Sequence, residues 1–134
     1  MEYILKTVNT TRFSFSSNTS NQDTYTISPK FGKKIDKINE EDYLLTLSFS
    51  LHSEDNSIAP YEVDLVINGI FSLSDCKNDE IDEFMNKNAV AILFPYLRSI
   101  LSTALSAMMI QPLILPLVDA YQLFHSKKDL NEDK

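Results

Sequence analysis

The groups in this chain that could move a proton, attack a carbon or bind a metal are two histidines, one cysteine and a run of carboxylates. His52 follows an alternating apolar stretch and sits near a turn. His125 lies near the C-terminal end of a helix-forming segment, where a cation suits the helix dipole. Neither has a second His, Cys or carboxylate at the sequence spacing that a metal site uses. Cys76, in the run SDCKND, has no nearby His in sequence and reads as an ordinary thiol. Only Gly32 and Gly69 supply glycine, so a phosphate-cradling loop is absent from the sequence. The acids of DEIDE (79–83) are most simply the solvated start of a helix. No convergent catalytic set is present, so the expectation is a protein without enzymatic activity, cofactor or metal.

What the chain has instead is apolar surface in surplus. Tyr25, Ile27 and Phe31 share one side of a stretch interrupted by Pro29, and Met85, Met108 and Met109 add adaptable apolar side chains. Singly each is ordinary core; together they predict a groove between a crossing segment and the last helix.

Four strands are expected to hold these residues. Residues 2–16 change phase near 8–12, which predicts a bulge or bend. Residues 24–31 alternate, and Pro29, lacking an N–H, places them on an edge or breaks them there. The charged stretch 32–42 reads as a crossing segment or helical turn. In YLLTLSFSL (43–51) and from Tyr61 to about Leu73, alternation predicts antiparallel strands packed on one side, with Val66 and Ile70 as exceptions on the outer face. Short apolar spacing predicts a helix over 79–87. A longer helix begins near Asn88 or Pro95 and runs to Met109, with Leu97, Ile100, Leu101, Ala104, Leu105 and Met108 as its stripe. Pro112 ends that segment, and a last helix follows over about 117–128. The expected class is α+β: a four-stranded antiparallel sheet with helices packed on one face. Residues 1–128 make one domain and 129–134 a short acidic tail.

The long helix has a second face, Arg98, Ser99, Ser102, Thr103, Ser106 and Ala107, with a single charge. A solvated face usually carries more Lys and Glu, so this one is expected to be buried between subunits. A net charge of −7 and a pI near 4.7 argue against nucleic acid as a partner. One cysteine fits a reducing compartment. The N-terminus lacks the apolar core of a signal peptide, and residues 99–118, though uncharged, contain Ser, Thr, Gln and two prolines. A cytoplasmic protein without membrane insertion is expected.

Two segments resemble the SecB family of chaperones. Asn68-Gly69-Ile70-Phe71-Ser72 is similar to the family's GGIFSI, and Ile92-Leu93-Phe94-Pro95-Tyr96 with Arg98 to its ILFPYAR. Leu113 to Phe124 is similar to the closing LxPVNFDALF helix. The resemblance implies an ATP-independent holdase, a homotetramer built as a dimer of dimers through the helix after ILFPY, and apolar grooves for non-native or precursor polypeptides. It places Tyr25, Ile27, Phe31, Leu123 and Phe124 in the client groove, and Arg98, Ser99, Ser102, Thr103 and Ser106 at the oligomer interface. Export members dock the motor SecA through acids on the open sheet face. Here Asp64, with Glu62 near it, keeps that sign, but Arg12 and Ser16 stand where acids are expected. That departure weakens the expectation of SecA and strengthens a dedicated client such as an antitoxin. The alternative is a non-catalytic oligomeric adaptor that binds one folded partner.

Overall fold

The computed structural model describes residues 1–17, 29–53, 59 and 61–109. Tyr25, Ile27, Leu123, Phe124, the closing helix and the acidic tail lie outside the described residues.

Four strands, β1 (Glu2–Ser17), β2 (Lys30–Lys37), β3 (Asp42–Leu51) and β4 (Tyr61–Ser74), form one antiparallel sheet in the order β1-β4-β3-β2. In β3 and β4 every second residue is buried, as their alternation predicts. Tyr43, Leu45, Leu47, Phe49 and Leu51 pack beside Tyr61, Val63, Leu65, Ile67, Phe71 and Leu73 on the inner face.

β1 departs from the expected single irregularity. Its register with β4 shifts twice, so Lys6 and Thr11 are each an extra residue. The two bulges bring Tyr3, Leu5, Val8, Phe13 and Phe15 to the same side despite their mixed parity. Both extra side chains are used across the sheet: Lys6 Nζ meets Asp42 Oδ2 at 3.1 Å, and Thr11 Oγ1 donates to the Val66 carbonyl at 3.3 Å.

The stretch after Gly32 is neither a crossing segment nor a helical turn. Residues 30–37 are the edge strand β2, beginning just after Pro29, and the chain changes edge between Ser17 and Lys30. Lysines at 30, 33, 34 and 37 blunt an edge that would otherwise invite further strands. The β2–β3 turn is fixed by Asn39, whose Oδ1 accepts the N–H groups of Glu41 and Asp42 at 3.1 and 3.0 Å.

One continuous helical run, Asn78–Ala107, crosses the inner face. It comprises α1 (Asn78–Glu83), a wide π-type turn (Phe84–Asn88) and α2 (Ala89–Ala107). Asp79 and Glu80 lie in the first turn, and the Glu80 carboxylate accepts the Lys77 N–H at 3.0 Å. The wide turn has a packing cause. Phe84 and Met85 are buried, and so are Ala89 and Val90, five residues on; a regular helix would bring Asn88 inward instead. The extra residue keeps Asn86, Lys87 and Asn88 out of the core. The helix passes through Pro95, neither starting nor stopping there. Pro95 and Ala91, whose carbonyl loses its donor, are both on the exposed side.

α2 packs against β3 and β4. Leu93, Leu97, Leu101 and Leu105 are fully buried, whereas Ile100 and Ala104 are half-buried and Met108, expected in the stripe, is exposed. By length and composition alone this helix could cross a membrane, but its apolar stripe is spent on the sheet.

Candidate client and partner surfaces

Phe31 is at the inner side of β2. Its ring lies 5.4 Å from that of Phe49 and 6.2 Å from that of Phe94, both edge-on, leaving 9% of the residue exposed. Within the single chain it is a core residue at the β2 edge. The other groove candidates, Tyr25, Ile27, Leu123 and Phe124, are outside the described residues.

The expected interface residues all lie on α2 and away from the sheet. Ser99, Thr103 and Ser106 are exposed and Ser102 is half-buried. The Arg98 guanidinium lies 6.0 Å from the centre of the Phe94 ring, a cation–π distance. Pro95 and Tyr96 extend the exposed, uncharged face towards the N-terminal half of the helix. A second uncovered region lies on β1. Because α2 sits over β3 and β4, Tyr3 and Phe13 remain exposed on the inner side of β1, although the Tyr3 ring touches that of Phe84 at 4.9 Å.

The outer face of the sheet carries Glu62 and Asp64, each half-exposed. They are not free acids. His52 lies between them, with Nδ1 2.9 Å from Glu62 Oε1 and Nε2 2.9 Å from Asp64 Oδ2. Hydrogen bonds to Asp64 first and Glu62 second hold the imidazole pKa above the ordinary histidine value. Ser16 is opposite Glu62 and Ser14 opposite Asp64, with Arg12 opposite Val66 on the same face. The residues that depart from the acidic pattern therefore adjoin the acids that keep it. Sequence spacing missed the His52 contacts because its partners are 10 and 12 residues away. The signal was present in the register: with Leu51 opposite Val63 at the end of β3, the next residue, His52, falls beside Glu62.

Among the described residues no group of three or more His, Cys, Asp or Glu side chains could hold a metal. His52 and its two acids do not converge on one point, since the acids occupy opposite nitrogens of the ring. Cys76 is half-buried against the core.

A four-stranded antiparallel sheet with one long helix on its inner face is a SecB-like chaperone fold. The family model of the preprotein translocase subunit SecB matches residues 7–131, and the chain belongs to the SecB family, a family of chaperones rather than enzymes. Relatives include a protein-export protein SecB of Francisella tularensis, 26% identical over 92 residues, covering 69% of this chain and 63% of that protein. The protein-export protein SecB of Bartonella quintana is 28% identical over 90 residues, or 67% and 57% of the two chains. The match thus spans less than two thirds of the length of either relative. Among solved structures, the SecB-like chaperone of Mycobacterium tuberculosis, in complex with a peptide from the HigA1 antitoxin, superimposes with a TM-score of 0.71. It is 14% identical, and the match covers 87% of this chain and 90% of that one, a likeness of fold.

Proposed function

We propose that this protein is an ATP-independent cytoplasmic holdase, assembled as a dimer of dimers, that holds non-native polypeptides in apolar grooves. The observation that carries this reading is membership of the SecB family over residues 7–131. The outer face of α2, with Arg98 as its one charge, and the uncovered Tyr3 and Phe13 support assembly, because a lone chain leaves both wet. Arg98, Ser99, Ser102, Thr103 and Ser106 are the proposed interface. Tyr25, Ile27, Phe31, Leu123 and Phe124 are the proposed groove residues. Suppression of the aggregation of a denatured test protein, with no nucleotide added, is the experiment that tests it.

The client is either an export precursor or a dedicated chain such as an antitoxin. The outer sheet face favours the dedicated client. Glu62 and Asp64 are the residues proposed to dock SecA, yet His52 engages both, and Arg12 stands on the same face. A SecA pull-down separates the two roles: retention on the motor supports export, and loss supports the dedicated client. The rival adaptor reading predicts a surface that binds neither a hydrophobic dye nor unfolded peptide.

A further inference from the structure

In the holdase reading His52 bears only on the proposed SecA face and touches no client, but its geometry is specific. A carboxylate can only accept a hydrogen bond. A ring that satisfies Glu62 through Nδ1 and Asp64 through Nε2 must therefore carry a proton on both nitrogens, which makes it an imidazolium. Neutral imidazole would turn a lone pair towards one of the acids. Glu62 and Asp64 are two residues apart on the same side of β4, so without a cation between them they repel.

We propose that His52 is a pH-sensitive latch: when charged it fastens the end of β3 to the outer face of β4 and neutralises the Glu62–Asp64 pair, and when neutral it lets go of one acid and leaves the pair repelling. The surroundings contain no other acid among the described residues that would compete for the ring. β1 faces the pair with Ser16 and Ser14, with Arg12 further along. β3 contributes Ser50, opposite Asp64, and β2 contributes Lys30, opposite Ser50. Ser53 is itself engaged, its Oγ accepting the Ala59 N–H at 3.0 Å. Glu54 and Asp55 follow in sequence, outside the described residues. The ring is 47% exposed, so salt weakens the latch.

The direction of the pH effect follows from the raised pKa. Below the ordinary value of 6.5 the imidazole is charged in both folded and unfolded chains, and the stabilisation is complete. It is lost as pH rises through the folded value. Proton NMR titration of the full chain tests this, with the His52→Gln spectrum distinguishing His52 from His125. The expected His52 midpoint lies above 6.5 and falls in both Glu62→Gln and Asp64→Asn, further in the second. The denaturant midpoint of the wild type should exceed that of His52→Gln at about pH 6 and converge on it by about pH 9. A titration midpoint at or below 6.5, one lowered by neither variant, or a stability difference constant with pH overturns the proposal. Neither readout needs a client, so the latch stands or falls independently of the holdase reading.

Discussion

Gly69 lies on the inner face of β4 beneath α2. A Cβ there would come within 2.9 Å of Leu93 Cδ1 and 3.2 Å of Cδ2. Gly69→Ala should therefore destabilise the protein by about 1–3 kcal/mol through overpacking. A lower denaturant midpoint with unchanged slope is the expected result, and an unchanged midpoint would mean that Leu93 has room to move. Gly69 belongs to one segment that resembles the family and Leu93 to the other, so the two motifs are the two sides of one contact. Asp42 gives a second residue-scale prediction. The Asn39 amide, and then Lys6, hold its carboxyl below the usual carboxylate value. A lowered folded pKa stabilises above the unfolded value of 3.8, and that contribution is lost as pH falls through the folded value. Asp42→Asn should shrink the stability lost on acidification, measured as denaturant midpoint against pH; an acid limb identical to wild type would contradict this. Such residue contacts were the least legible in the sequence. Lys6–Asp42 depends on a bulge, and His52–Asp64 on a hairpin register, and neither is a local pattern.

At the scale of elements, β3 and β4 were legible because each buries one face and leaves the other wet, so alternation survives in the residue types. β2 was not, because an edge strand protects itself with lysines, and KFGKKIDK reads as a charged connection. Phe31 and Ile35 on its inner side were the available clue. The helix was legible as an apolar stripe, but its wide turn was hidden because a five-residue spacing breaks the 3.6-residue rule. Deleting Lys87 should turn the wide turn into regular helix, with Ala89 and Val90 four residues after Phe84 and Met85 and still on the same face. Phe84 and Met85 would stay in the core, so thermal denaturation should show a stability close to that of the wild type. A large loss of stability would mean that the turn is not set by this packing. Within α2, Leu97→Ala should cost about 2–5 kcal/mol, since a fully buried leucine leaves a cavity. Denaturant unfolding measures it; a loss below about 1 kcal/mol would place Leu97 outside the tightly packed core.

At the scale of the whole molecule, the single chain leaves much of its most apolar helix half-covered. One side holds the sheet through Leu93, Leu97, Leu101 and Leu105. The other presents Pro95, Tyr96, Ser99, Thr103 and Ser106 to solvent. On the proposed assembly that second side meets another subunit. Ser99→Glu combined with Thr103→Glu should then reduce the mass seen by light scattering without unfolding the chain, because both positions are exposed. An unchanged mass would remove this face from the interface. The central claim is that the assembled protein holds non-native chains. The most direct measurement is turbidity of a chemically denatured test protein diluted into buffer without nucleotide, with and without one tetramer per client chain. Suppressed turbidity is the result predicted; turbidity unaffected at that ratio would contradict the account.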